Sequence, residues 1–314
     1  MRMQTTTLGR TGLEVSVAGL GCGGHSRLGM AQGNDEAHAA GIVSHALDLG
    51  INFIDTARAY RTETAVGRAI AGRRDEVVVS TKASAGRGDE LLTAEALTAS
   101  LEKSLARLDT DYVDVFHLHG VRPGQYDHCI EVLVPEMQRQ RALGKIRFLG
   151  VTEQFGADTA HQMLDRALID DLFDVVMVGF SLLNPSARTN VFPSTLANDV
   201  GTLIMFAVRR ALSQRDALAE LVADLVARGE VDASLLNPDD PLDFLREHAE
   251  VSSIVEAAYR FCRHEPGAHV ILTGTGSAQH LSENVAAIQA PPLPEPVSAQ
   301  LRVLFGGVNS VSGN

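Results

Sequence analysis

Tryptophan is absent from this chain and cysteine is scarce, and each shortage excludes something. The three cysteines, Cys22, Cys129 and Cys262, are odd in number and far apart. That pattern is neither a disulfide framework nor a zinc knuckle, and it fits a reducing compartment. No apolar run approaches the ~20 residues that a membrane-crossing helix needs, and Met1 to Thr6 carries no apolar signal core. The expectation is a cytoplasmic protein that spans no membrane. Cationic residues are also in deficit: Lys and Arg total 27 against 39 Asp and Glu, a formal charge of −12. Nucleic acids and anionic membranes both demand basic patches, so neither partner is expected. There is no internal repeat, low-complexity tract or linker, and 314 residues suffice for a sizeable core. One domain is expected over residues 1–314.

What is present is an alternation of two periods. Short apolar runs occur at Val15–Leu20, Ile51–Ile54, Glu76–Thr81, Val113–Leu118, Ile146–Val151, Val175–Val178, Leu203–Phe206 and Val270–Leu272. Helical periodicity fills most of the gaps, at Asp35–Leu49, Glu63–Ala71, Thr93–Leu108 and Ile130–Leu143, for example. Thr93 is placed as an N-cap, and Gly144 stands at a C-cap position. Eight such βα units imply an α/β chain folded as a closed (β/α)8 TIM barrel, with an open doubly wound sheet as the alternative. Residues 207–250 exceed an ordinary βα connection and read as an insertion after the seventh strand.

Four polar residues stand at or just past the ends of these runs. Asp55 follows Asn52-Phe53-Ile54, Tyr60 comes five residues later, Lys82 follows Val77-Val78-Val79, and His119 follows Val113 to Phe116. If the runs are neighbouring parallel strands, an acid, a phenol, an amine and an imidazole meet on one rim. Such a group suits proton transfer, and the C-terminal rim is where barrel enzymes work.

Other motifs compete. Gly19-Leu20-Gly21-Cys22-Gly23-Gly24 matches G-x-G-x-x-G, but the next helix begins only near Asp35, too late for its amides to meet a pyrophosphate. A Tyr-x-x-x-Lys pair is missing: the residues four after Tyr60, Tyr112, Tyr126 and Tyr259 are Thr64, Phe116, Ile130 and Arg263. Gly179 to Leu183 lacks the final glycine of a nucleophile elbow. His117 and His119 share one strand face and could ligate a metal in a barrel hydrolase. The strand ends offer few further ligands, so no metal is assigned and His117 is placed as an internal hydrogen-bonding residue.

The wording around the four polar residues resembles the aldo-keto reductase family. Asp55-Thr56-Ala57-Arg58-Ala59-Tyr60, with Glu63 and Gly67, is similar to its D-T-A-x-x-Y-x-x-E-x-x-x-G signature. Asp111 to Asp114 with His119 resembles its fourth strand, and Gly144 to Val151 its G-K-I-R-x-I-G-V strand. Leu272-Thr273-Gly274-Thr275 with Glu283-Asn284 resembles its adenine-side segment. The likeness runs in order from residue 7 to 289. It implies a barrel that reduces an aldehyde, ketone or sugar carbonyl, or runs the reverse reaction, with NADP or alternatively NAD. Tyr60 would be the general acid, Lys82 would lower its pKa, Asp55 would hold Lys82, and His119 would orient the carbonyl. A nicotinamide-binding sensor of the same fold is the non-catalytic alternative.

The resemblance also marks cofactor positions: Asp55, Thr152, Glu153, Met177, Phe206, Ala207, Gly274, Thr275, Gln279, Glu283 and Asn284. Thr152-Glu153 stands where the family often has Ser-Asn, and Met177 where it often has Gln, a loss of amide-binding groups. Phe206 falls where an aromatic commonly stacks on nicotinamide. Gly274 and His280 replace cations often found beside a 2′-phosphate. His25, Arg61 and Arg122 are candidate substrate residues on a cationic rim, and the missing tryptophan removes a wall common in family pockets. Oligomeric state is not encoded in any of these motifs.

Overall fold

The computed structural model describes residues 2–87, 90–237, 240–247 and 250–314. Eight strands form a closed barrel: β1 (Ala18–Gly21), β2 (Phe53–Asp55), β3 (Val78–Ser84), β4 (Val113–Val121), β5 (Ile146–Glu153), β6 (Val175–Gly179), β7 (Gly201–Met205) and β8 (Val270–Thr273). Every neighbouring pair is parallel, and β8 closes on β1 through Ile271↔Ala18 and Thr273↔Leu20. The fold is therefore the (β/α)8 barrel rather than the open sheet.

The helices between strands form where the sequence supplies periodicity and caps. Thr93 caps Ala94–Leu108 by accepting a hydrogen bond from the Ala96 amide. The helix expected at Ile130–Leu143 is less regular. A π-turn at Cys129–Leu133 precedes an α-helix at Val134–Ala142, because Pro135 has no amide to continue an α-helical ladder. Gly144 then ends the helix at φ +78°, a conformation open to glycine.

Two apolar layers hold the barrel. Outside it, helix faces pack on strands through residues such as Ile42, Leu101, Met137 and Leu164. Inside, Phe53, Val115, Val175, Leu203 and Val270 join Leu8, Leu13 and Val15 in a separate cluster. The last three come from an antiparallel hairpin, Thr5–Thr7 with Glu14–Ser16. The expected strand Val15–Leu20 is thus two elements, the hairpin arm and β1, separated at Val17. The hairpin plugs the N-terminal mouth: Arg10 N donates to Asp199 O just before β7, and Ser16 N to Asn52 Oδ1 just before β2. The opposite mouth, at the strand C-termini, stays open for a site.

Between β7 and β8 the chain forms helices at Arg210–Ser213, Arg215–Ala227 and Ile254–Arg263, with 3-10 turns at Ala233–Leu235 and Asp243–Glu247. Parts of the expected insertion, residues 238–239 and 248–249, lie outside the described residues. Among the described residues, no helix is long and apolar enough to cross a membrane.

Candidate active site

Strand register assembles the site. Asp55 lies opposite Ser80, Lys82 opposite His117, and Ser84 opposite His119. With β2, β3 and β4 adjacent, the side chains of Asp55, Lys82 and His119 rise together at the open mouth. Lys82 Nζ donates to Asp55 Oδ1 at 2.7 Å, to Asp55 Oδ2 at 2.6 Å and to Thr56 O at 2.8 Å. Ser80 Oγ adds a fourth bond, to Asp55 Oδ1 at 2.9 Å. All three ammonium donors are satisfied, as a buried cation requires. Burial would push Lys82 down, but the Asp55 carboxylate outweighs it and holds the ammonium charged.

The β2–α loop turns at Arg58–Tyr60 and brings the phenol over this pair. Lys82 Nζ is 4.9 Å from the Tyr60 ring centre, and the Tyr60 hydroxyl is 3.2 Å from His119 Nε2. Gly23 lies under the ring, and a Cβ there would come within 2.7 Å of it. Burial raises the Tyr60 pKa above its usual 10.0, with Lys82 pulling the other way. This corrects the expected sign: the ammonium opposes the shift without reversing it, so Tyr60 is a firmly protonated donor at neutral pH. Burial, then Lys82, lowers the His119 pKa to about 3, which makes the imidazole neutral.

The rest of the signature has structural reasons. Glu63 is buried and accepts from Thr81 Oγ1 at 2.7 Å and Arg107 Nε at 2.6 Å, tying its helix to β3 and to the helix Ala94–Leu108. A Cβ on Gly67 would stand 2.7 Å from Leu108 O. Asp114 accepts from the Val79 amide, Arg74 and Arg147 at the far end of β4. A Cβ on Gly150 would stand 2.2 Å from His117 Nδ1, so that glycine makes room for the imidazole. His117 is buried inside the barrel, where burial and then the Lys82 charge hold its pKa well below the usual value and the Val151 backbone opposes them. No group of three His, Cys, Asp or Glu among the described residues is placed to hold a metal.

A cleft of about 1310 Å³ runs from Tyr60 and Asp55 past Met177, Phe206 and Ala207 to Gly274, Thr275, His280, Glu283 and Asn284. That volume exceeds an ordinary small-ligand pocket of about 300–1,000 Å³. It suits an extended ligand. Asn284 Nδ2 is tied to Thr273 Oγ1 at 3.0 Å, which fixes the far wall. The chain leaves β7 at Met205, and Phe206 takes φ +68°, a left-handed turn rather than the last strand residue.

Several expected residues fall elsewhere. Thr152 does not line the cleft, and its hydroxyl accepts from Gly120 N at 2.7 Å. Glu153 points into the wall, where it accepts from Gly179 N at 2.7 Å and from His161 Nδ1 at 2.9 Å. Gln279 is also outside the lining and donates to Glu283 Oε1. Of the three candidate substrate residues, His25 lines the cleft. Arg61 and Arg122 do not: Arg61 ends the Tyr60 turn at φ +63°, and the Arg122 amide is held by Gln125. The structure adds Arg209, whose guanidinium lies 4.2 Å from the Phe206 ring centre and lines the same cleft. The adjacent Arg209-Arg210 pair just after β7 is a sequence signal for it that charge counting overlooks.

This geometry has counterparts. The model of the aldo/keto reductase family matches residues 19–304. The chain belongs to the aldo/keto reductase family. It is 28% identical over 313 residues to L-galactose dehydrogenase of Arabidopsis thaliana, covering 91% of this chain and 88% of that protein. It is also 28% identical over 301 residues to the aldo-keto reductase YhdN of Bacillus subtilis, covering 90% and 88%. In fold it is similar to an aldo-keto reductase from Bacillus halodurans in its holo form, with TM-score 0.75, 23% identity and full coverage of both chains. This aldo/keto reductase is thus an NAD(P)(H)-dependent oxidoreductase acting on carbonyl compounds.

Proposed function

We propose that this enzyme reduces an aldehyde, ketone or sugar carbonyl with Tyr60 as proton donor, and that its preferred cofactor is NADP(H), with NAD(H) as the alternative. The observation that carries the reading is the Tyr60 hydroxyl at the cleft surface, 3.2 Å from His119 Nε2 and backed by the Lys82–Asp55 pair.

The cleft fits a nicotinamide dinucleotide. Phe206 and Met177 offer an apolar seat beside Tyr60 for the flat ring, and Ala207 leaves room next to it. Gly274, Thr275, His280, Glu283 and Asn284 would hold the adenosine end. There the helix Ala278–Gln289 begins, and helix N-termini favour phosphate. The carboxamide grip differs from the usual one, since Thr152 and Glu153 face away and the Met177 thioether is a weak partner. When bound, the cofactor would supply a hydrogen nucleus together with its two bonding electrons to the carbonyl carbon.

The chain's residues do the rest. Tyr60 and His119 hold the carbonyl oxygen between hydroxyl and imidazole. As the C=O double bond becomes a single bond, the phenol proton passes to that oxygen. The phenolate left behind is stabilised by the Lys82 charge and takes its proton back from solvent. Asp55 keeps Lys82 charged and in place. The three buried free cysteines support a reducing, cytoplasmic setting.

The test is titration of NADPH and NADH into the protein, followed by turnover on a panel of aldehydes, ketones and sugars with a chelator present. Tight binding with chelator-resistant reduction, faster with NADPH, is expected. Faster reduction with NADH would overturn the cofactor preference, and binding without turnover on any carbonyl would overturn the catalytic assignment.

A further inference from the structure

Arg209 is a cation set at the reacting end of the cleft and, among the described residues, is in no ion pair with an Asp or Glu side chain. Its guanidinium lies over the Phe206 ring at 4.2 Å. Nη1 comes within 4.0 Å of where a Cβ on Gly24 would be, on the loop after β1. Its side-chain hydrogen bond runs from Nε to the neutral Oδ1 of Asn314 at 2.7 Å. Of the other charges at the cleft, Lys82 is neutralised by Asp55 and Glu256 by Arg260, Glu283 stands at the far end, and Arg210, also in the lining, turns its Nε to Gln214 Oε1. Burial accordingly makes the guanidinium easier to deprotonate than usual, the direction of a cation lacking a partner.

We infer that Arg209 discriminates between the two redox states of the cofactor, disfavouring the oxidised form and so biasing the enzyme toward carbonyl reduction. This rests on the nicotinamide reading above. The oxidised ring carries a positive charge and the reduced ring is neutral, so only the oxidised ring is repelled by a nearby guanidinium. In a cleft walled by protein that repulsion is poorly screened. The Phe206 face already carries one delocalised cation, so an oxidised ring seated beside it also meets a π face whose attraction for positive charge is partly used. Either contribution acts against the oxidised cofactor. Arg209 is placed for this by the left-handed turn at Phe206, which brings the residue three positions later back over the ring.

The test measures dissociation constants of the oxidised and reduced forms of the same cofactor by calorimetry, for the wild type, Arg209→Met and Arg209→Lys. Methionine keeps an unbranched stem over Phe206 and removes the charge, whereas lysine keeps the charge. The wild type is expected to prefer the reduced form. In Arg209→Met that preference should shrink by about tenfold, chiefly through tighter binding of the oxidised form, and Arg209→Lys should retain most of it. An unchanged ratio in Arg209→Met would overturn the inference. So would equal weakening of both forms, which would make Arg209 a phosphate ligand, or equal loss of the preference in the lysine variant. Failure of the wild type to bind either form would instead sink the nicotinamide reading on which this one stands.

Discussion

Replacing Lys82 with methionine tests the core of the site in a single step. The side chain is fully buried, and its ammonium meets both Asp55 oxygens at 2.7 and 2.6 Å. Methionine keeps most of the volume and removes the charge, leaving Asp55 with Ser80 and the Thr56 carbonyl without its partner. Coulomb attraction at an effective dielectric of about 20 is roughly 5–6 kcal/mol for charges about 3 Å apart. Breaking one side of a buried pair accordingly costs about 3–5 kcal/mol. The stranded carboxyl then prefers its protonated form, with a folded pKa above the unfolded value. Folding in the variant therefore takes up a proton, so its stability is fullest in acid and is lost as pH rises through the shifted pKa. Urea unfolding followed by circular dichroism should show a deficit that is larger near pH ~8 than near pH ~5. The double variant Asp55→Leu, Lys82→Met should recover much of the loss, because no charge is left buried. A single-variant deficit under about 1 kcal/mol near neutral pH, or a double variant no more stable than the single one, would refute the account of the pair.

Other perturbations follow from the same geometry. The rate of carbonyl reduction should be flat from about pH 6 to 9 and fall only above about pH 10, since burial raises the Tyr60 pKa and keeps His119 neutral; a break near neutrality in kcat/KM would contradict this. Gly67→Ala puts a Cβ 2.7 Å from Leu108 O, and should cost about 1–3 kcal/mol in urea unfolding; a neutral result would mean that the helix shifts freely. Glu153→Ala strands the Gly179 amide and His161, and should destabilise by roughly 2–4 kcal/mol while leaving cofactor affinity within about threefold. A large affinity loss in folded Glu153→Ala protein would put that carboxylate back among the cofactor contacts.

Much of this architecture is legible in the chain because its signals are local. Each barrel strand is a short apolar run, and Asp55, Lys82 and His119 stand at or near run ends, so a parallel arrangement alone brings them together. Thr93 and Gly144 announce the ends of their helices through side-chain chemistry and backbone freedom. What local pattern cannot carry is decided by tertiary contact. The Val15–Leu20 run is continuous in hydropathy, yet the hairpin needs Val15 in the barrel floor and β1 begins at Ala18. Glu153 looks like a strand-end cofactor contact until Gly179 N and His161, on separate elements, claim its carboxylate. Phe206 reads as a strand residue, but its positive φ turns the chain and carries Arg209 back over the ring. Arg61 and Arg122 are as basic as Arg209 in sequence, and only the loop paths separate the residue that faces the cleft from the two that do not.

The measurement that bears most directly on the central claim is Tyr60→Phe, assayed for both turnover and cofactor binding. The substitution removes one oxygen, the atom 3.2 Å from His119, and leaves the ring over Lys82. Turnover should fall by about 10²–10⁴-fold, the usual contribution of a positioned general acid, while the cofactor dissociation constant stays within about twofold. A folded Tyr60→Phe protein that reduces carbonyls at the wild-type rate would show that the proton comes from elsewhere.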